Sequence, residues 1–330
     1  VLAKALGIDS STVSRALNDS DRVTKKTKEI VLAKAKELGY QRNSLASNLR
    51  KNKSYTIGVV VPRISRYFFS SAISGIEETA YALGYNVIIC QSLDELNREE
   101  RIIDNLISNR VDGVLISVSM ETIDGNHLKK LQQNNIPLVF FDRNCNAIPD
   151  VSSVQINDLQ AAFNATNHLI KKGCKKIVHF SGPQTLDIYR KRLEGYTNAL
   201  KEATIAYDNR LVLSSKLMEA DGNLLAKKIL KIEPAIDGIF SANDLAGIGA
   251  IKYLKSIGKK IPEDIRIVGY SNEPVSAVIE PSLTTINQFG IEMGTKACNL
   301  LIRIINGDIL KSTEKTQIIN PELIIRESSM

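Results

Sequence analysis

The chain has 330 residues, 43% hydrophobic and 24% charged, with a net charge of +7. That length exceeds one ordinary core and predicts two or three domains. The composition excludes a disordered chain, and no apolar run is long enough to span a bilayer. No basic segment followed by an apolar stretch opens the sequence, so secretion is not expected and a cytoplasmic location is. Cys90, Cys145, Cys174 and Cys298 are scattered with no C-x-x-C pair, which predicts buried free thiols rather than disulfides or metal ligands.

The charge is unevenly placed. Residues 1–53 hold twelve Lys/Arg against five Asp/Glu, an excess equal to that of the whole chain. A field confined to one small module suits attraction to a polyanion. A solvated helix surface would give the same count, so charge alone does not decide.

In chain order, Val1–Leu6 reads as a short helix stopped by Gly7. Asp9 is placed to cap a second helix running to about Leu17, with Val13, Ala16 and Leu17 facing inward. After a polar loop, 18–22, Thr24 is placed to cap a third helix ending at Gly39, with Val31, Ala35 and Leu38 as its buried stripe. A shorter segment carries Leu45, Ala46 and Leu49 on one side, and 51–54 reads as a linker. From Thr56 the pattern changes to T-I-G-V-V-V-P, as in a strand covered on both faces. Strand-like runs follow at 85–91, 113–117, 137–142, 176–181, 236–241, 265–270 and 283–287. Helical patterns lie between them at 69–83, 98–109, 158–172, 189–201, 224–231, 244–257 and 291–305. Alternating β and α implies parallel sheets, and about ten such units exceed one sheet. The expected fold is an all-α helix-turn-helix headpiece plus an α/β core of two doubly wound parallel-sheet lobes. Ligands would bind at the carboxyl ends of the strands.

The first two helices, with Gly7 between them, form a helix-turn-helix whose second helix enters the major groove. Its exposed side offers Ser10, Ser11, Ser14 and Arg15, and an arginine fork matches guanine O6 and N7. Enzymatic readings find little. G-I-G-A at 247–250 lacks the third glycine of a dinucleotide fingerprint and lies inside a helical pattern. His127, His168 and His179 have no metal-ligand spacing. The pairs Glu77–Glu78 and Glu99–Glu100 read as solvated helix faces. No catalytic residue, metal site or cofactor is expected.

V-L-A-K-A-L-G-I-D-S-S-T-V-S-R-A-L-N resembles the DNA-binding start of the lactose-repressor (LacI/GalR) family, and the likeness continues through E-L-G-Y-Q-R-N-S-L-A-S-N-L-R. It persists in I-G-V-V-V-P, V-D-G-V-L-I, F-F-D-R, S-A-N-D-L-A-G-I-G-A, I-P-E-D-I-R-I-V-G-Y and E-L-I-I-R-E-S. The resemblance implies a transcriptional regulator, a repressor, that binds near-palindromic double-stranded operator DNA as a homodimer. Its core would be of the periplasmic-binding-protein type I kind, holding a small-molecule effector, a carbohydrate or derivative, between its lobes. Ser10, Ser11 and Arg15 match base-reading positions, while Thr12, Ser14 and Asn18 are expected to hold phosphates. Asn43–Arg50 matches a hinge helix, in which Ala46 lets paired helices approach and Leu49 wedges between base steps. Arg42 departs from the family, where a proline is usual. The implied effector residues are Phe68, Phe69, Asp142, Asn157, Arg192, Asn243 and Ser271. Asp244 would rather start its helix, Arg192 has a lobe-to-lobe ion pair as its alternative role, and only one of Phe68 and Phe69 is expected to face ligand. Serine at 271 stands where many sugar-responsive members carry aspartate, which leaves room for a different sugar or one bearing negative charge near Arg192. The implied domains are a headpiece 1–39, a hinge and linker 40–54, a first lobe 55–157 plus 288–319, and a second lobe 158–287 plus 320–330. A transport-type sugar-binding protein fits the core alone, but not the basic headpiece. The absence of a heptad tail after E-L-I-I-R-E-S favours a dimer over a tetramer.

Overall fold

A computed structural model describes residues 2–17, 19–39 and 53–330. The chain divides into two compact units, Val1–Ser54 and Tyr55–Met330.

In the first unit, α1 (Leu2–Leu6), α2 (Ser10–Leu17) and α3 (Lys25–Glu37) surround a small core of Leu2, Val13, Ala16 and Val31. The turn from α1 to α2 passes through Gly7 at φ +63°, a left-handed conformation that glycine adopts without a side-chain clash. Asp9 Oδ1 accepts the Ser11 backbone N–H at 2.7 Å, and Thr24 Oγ1 accepts that of Thr27 at 3.3 Å, so both expected helix starts carry side-chain caps. The stripe of α3 differs from expectation at its end. Leu38 is the C-cap and is 43% exposed, because the small core of the headpiece reaches only as far as Ala35. Asn18, Arg42, Asn43, Ala46 and Leu49 lie outside the described residues.

The second unit contains two parallel sheets. The first has the order β11-β5-β4-β3-β1-β2, from β1 (Thr56–Val61), β2 (Asn86–Gln91), β3 (Gly113–Ile116), β4 (Leu138–Phe141), β5 (Ser152–Ile156) and β11 (Thr316–Ile319). The second has the order β7-β6-β8-β9, from β6 (Ile177–Ser181), β7 (Val212–Ser214), β8 (Gly238–Ser241) and β9 (Arg266–Val268). Beside it β10 (Thr285–Asn287) pairs antiparallel with β12 (Glu322–Ile324). The chain therefore passes between the sheets three times: after β5, after β10 and after β11. β1 is buried from Ile57 to Val61, as its unbroken apolar run predicts.

Helices cover the sheets: α4 (Tyr67–Ala82), α5 (Leu96–Ser108), α6 (Asn126–Gln133), α7 (Asp158–Lys171), α8 (Asp187–Glu202), α9 (Glu219–Ile232), α10 (Asp244–Ser256) and α11 (Gly290–Ile305). α4 and α11 cross at glycines. A Cβ on Gly75 would run into the Ile291 carbonyl, and one on Gly294 into that of Ala72. That crossing ties α11, made late in the chain, to the first sheet.

Three of the four cysteines are buried, Cys90 is partly so, and all are free thiols. One expectation for the acidic pairs fails. Glu77 and Glu78 are exposed, but Glu99 is completely buried. It accepts the Ser119 N–H and the Thr122 hydroxyl, both at 2.6 Å, and lies 2.9 Å from His127 Nε2. It anchors the loop after β3 rather than meeting solvent.

Candidate DNA-reading helix and effector cleft

The headpiece presents α2 as its candidate reading surface. Val13 and Ala16 turn inward, which leaves Ser10, Ser11 and Arg15 exposed and Thr12 and Ser14 half-buried. Helical spacing places residues 10, 11, 14 and 15 on one side. Arg15 stands there as an exposed guanidinium fork.

In the core, a cleft of about 430 Å³ opens where the carboxyl ends of both sheets' strands converge. From the first sheet, the segment after β1 brings Arg63, Arg66, Phe68 and Phe69, and the end of β4 brings Asp142 and Arg143. From the second, α8 brings Tyr189 and Arg192, the end of β8 brings Asn243, and the segment after β9 brings Ser271 and Glu273. Gln288 enters from the crossing after β10. This is the location that open α/β sheets favour for ligands. Several residues at the rim have positive φ: Asp142 at +59°, Leu217 at +57° and Ser271 at +114°. Non-glycine residues in this region store strain that clusters at ligand sites.

Of the expected effector residues, the structure brings Phe68, Phe69, Asp142, Arg192, Asn243 and Ser271 to this one lining. Both phenylalanines reach it, with ring centroids 5.2 Å apart, edge to face, and the Arg143 guanidinium 5.8 Å from the Phe69 ring. Asn157 does not line the cleft. Its Oδ1 caps α7 by accepting the Gln160 N–H at 3.1 Å, so the amide is used by the helix terminus. Asp244 behaves as expected of a helix-starting residue. It accepts the Glu273 N–H at 2.7 Å and the Thr285 hydroxyl at 2.6 Å, and burial pushes its pKa up to about 7.

Arg192 is the most constrained residue of the lining. Its Nε donates to Asp158 Oδ1 at 2.7 Å and its Nη1 to the Ala242 carbonyl at 2.9 Å, while its Cζ lies 3.6 Å from the Tyr270 ring centroid. The Tyr270 hydroxyl donates to the same Asp158 oxygen at 2.6 Å. Burial opposes the arginine's charge, but Asp158, Tyr270, Tyr189 and Asp142 together more than offset this and hold its pKa above the ordinary value. Asp158 starts α7, so the ion pair lies within the second-sheet lobe rather than between lobes.

Asp142 has the opposite environment. It is 7% exposed, and its one hydrogen-bond donor among the described residues is the Ser117 hydroxyl at 3.4 Å. Burial pushes its pKa up to about 6, with Arg143 and Arg192 restraining the rise. Beside it, the buried Nε of Arg143 has no hydrogen-bond partner and lies 3.9 Å from Asp142 Oδ2. A hydroxylated ligand could donate to the carboxylate and accept from the guanidinium, relieving both groups.

The raised pKa gives a pH prediction. The folded state favours protonated Asp142, so this group's contribution is complete below about pH 3.8 and is lost as pH rises through about 6. Asp142→Asn removes the penalty while tolerating the left-handed backbone. The variant is expected to exceed the parent in stability by about 2–3 kcal/mol above pH 6, with the difference closing towards pH 4. Urea unfolding across that range measures it, and a difference that does not vary with pH would contradict the assignment.

Reading the sequence missed Arg66, Arg143, Asp158 and Glu273. Arg143 sits in F-F-D-R and Asp158 directly follows Asn157, so both adjoined residues that were recognised. Arg66 and Glu273 carry no motif and are brought in only by tertiary structure.

Among the described residues, no helix is long and apolar enough to cross a membrane. The profile for "Periplasmic binding proteins and sugar binding domain of LacI family" matches residues 54–326, and that for "Bacterial regulatory proteins, lacI family" matches residues 2–43. The ribose operon repressor of Halalkalibacterium halodurans is 33% identical over 99% of this chain and 96% of its own length. The transcriptional repressor CytR of Escherichia coli K12 is 32% identical over 98% of this chain and 93% of its own length. Among solved structures, the regulator CelR in complex with cellobiose superposes with a TM-score of 0.78 at 29% identity, covering 99% of this chain and 98% of that one. The lac repressor dimer on its operator shares the fold, with a TM-score of 0.86 at 24% identity over 100% of this chain and 98% of that one. A helix-turn-helix at the start and a two-lobed, ligand-type cleft in the core thus match over nearly the whole length, and the chain belongs to the LacI family of bacterial regulatory proteins.

Proposed function

We propose that the protein is a homodimeric, cytoplasmic repressor that reads a near-palindromic operator through α2 and responds to a sugar-type effector held in the core cleft. The observation that carries this reading is the convergence of Phe68, Phe69, Asp142, Arg192, Asn243 and Ser271, from helices and strand ends of both sheets, on one cleft of about 430 Å³. Aromatic faces beside carboxylate, amide and guanidinium groups suit a polyhydroxylated ligand. Relatives support the class: one regulator is seen with cellobiose, and a LacI-type protein of Alkaliphilus metalliredigens, 29% identical with a TM-score of 0.73, with D-xylulofuranose, covering 84% of this chain and 100% of that one.

The functional parts are assigned as a headpiece 1–39, a hinge and linker 40–54, a first lobe 55–157 plus 288–319, and a second lobe 158–287 plus 320–330. Within the headpiece, Ser10, Ser11 and Arg15 read bases, and Thr12, Ser14 and Asn18 hold phosphates. Asn43, Ala46 and Leu49 serve the hinge. The switch is a linkage: an effector that prefers one lobe arrangement changes operator affinity by the factor by which operator changes effector affinity.

Selection of full-length protein on a random duplex library tests the first half. A near-palindromic site should be enriched, and its affinity should fall steeply with salt as phosphate counterions are displaced. A sugar that raises the melting temperature should then alter affinity for that site. The reading fails if no duplex is enriched at any salt, or if such a sugar leaves operator affinity unchanged.

A further inference from the structure

The cations of the cleft are unequally compensated. Arg143 pairs with Asp94 at 2.6 Å, Arg63 with the same carboxylate at 3.5 Å, and Arg192 with Asp158 at 2.7 Å. Arg66, at the start of α4, has no carboxylate within ion-pair distance among the described residues. Its guanidinium instead crosses the cleft to neutral acceptors of the opposite lobe. Nη1 donates to Asn243 Oδ1 at 3.1 Å, and Nη2 to the Leu217 carbonyl at 3.4 Å and the Met218 thioether at 3.1 Å. A thioether and a long carbonyl contact are weak partners for a charged donor. Burial accordingly pulls the Arg66 pKa below its ordinary value. Lys216, on the same lining, also has no carboxylate in reach among the described residues.

Of the five carboxylates on the lining, Glu95 and Asp142 form no ion pair with Arg66, and the other three are engaged elsewhere. Asp94 serves two arginines, and Glu121 Oε2 accepts the Leu96 N–H at 2.9 Å. Glu273 is the acid whose charge Arg66 feels, yet it lies beyond ion-pair distance, its carboxylate faces the Tyr67 N–H, and burial pushes its pKa up. A half-buried guanidinium held only by neutral groups is an incomplete arrangement, because buried charge is costly unless paired.

We propose that the effector carries an anionic oxygen group, a carboxylate or a phosphate, and that Arg66 with Lys216 receives it. This inference rests on the cleft being the effector site. The anion replaces the Leu217 and Met218 contacts on Nη2, where a guanidinium binds two oxygens side by side. Arg66 belongs to the first-sheet lobe and Lys216 to the second, so the same anion bridges the lobes. Specificity for charge therefore resides at Arg66 and not at Arg192, whose charge Asp158 already neutralises.

The test is calorimetric titration of the full chain with matched sets: a neutral pentose or hexose, its monophosphate, its aldonic or uronic acid, and inorganic phosphate as the ionic control. One anionic member should bind at least about tenfold more tightly than its neutral counterpart and than inorganic phosphate, the step expected for one charge-assisted contact. Arg66→Gln should erase that preference, and the two anionic arms separate phosphate from carboxylate. Unliganded melting of Arg66→Gln checks its folding; if it fails, Lys216→Met should reduce the same preference. Equal or tighter binding of the neutral sugar, abolished by Asp142→Ala, overturns the anion while leaving the cleft as the effector site. Binding by no member, or binding insensitive to Asp142→Ala, overturns both.

Discussion

Arg15→Ala is expected to abolish operator preference while leaving the core untouched. The residue is exposed on α2, on the side opposite Val13 and Ala16. A bidentate arginine–guanine contact discriminates by about 1–3 kcal/mol, and a dimer on two half-sites makes it twice. The expected loss of specific affinity is thus about 2–6 kcal/mol, roughly 30-fold to 10⁴-fold. Non-specific binding should persist, because the proposed phosphate contacts are assigned to other residues. Arg15→Lys should not restore preference, since an ammonium lacks the planar fork. Competition between operator and random duplex at fixed salt measures the ratio. An unchanged ratio would remove Arg15 from base reading, and a simultaneous loss of effector binding would argue against separate sites.

Arg192→Ala is expected to remove the effector response and to destabilise the core by about 3–5 kcal/mol, the cost of stranding a buried partner. Asp158 is 3% exposed and would keep only the Tyr270 hydroxyl of the two hydrogen bonds now made to its Oδ1. The two effects separate in the double variant Arg192→Met, Asp158→Leu. Replacing both charges by apolar groups of similar size is often neutral, so stability should largely return while the effector response does not. Urea unfolding and effector titration of the three proteins provide the comparison. A single variant that loses under 1 kcal/mol would show that the pair does not hold the lobe, and one that still responds would show that Arg192 does not contact ligand.

Much of this architecture follows from periodicity. Apolar runs such as T-I-G-V-V-V mark strands wherever burial on both faces demands continuous hydrophobicity. β5 escapes that logic because S-S-V-Q-I is buried along its length yet largely polar, with Gln155 Nε2 donating to Ser153 Oγ at 3.1 Å and Lys191 to Gln155 Oε1 at 3.2 Å. Side chains that satisfy one another across elements leave no local trace. Glu99 was misread for the same reason: its three partners lie 20 to 28 positions away. At the cleft, six of the seven residues named by resemblance lie on the lining, but resemblance did not give their partners. Asn157 is spent on a helix cap and Arg192 on Asp158, while Arg66, in no recognisable motif, is left with neutral partners.

The pairing of β11 with β5 sets a clock on synthesis. Thr316 to Ile319 supply the strand that covers the Ser153 to Ile156 edge, and α11 packs against β3, β4 and β5. At bacterial elongation rates of about 5–20 residues per second, a ribosome needs roughly 10–30 s to travel from Ile156 to Thr316. During that interval the first sheet waits with an open edge and an uncovered face while the other lobe is being made. An open edge invites pairing with neighbouring chains, and polar side chains blunt that hazard. The serines and glutamine that hid β5 from a hydrophobicity reading therefore suit a strand that must wait in the nascent chain for its partner.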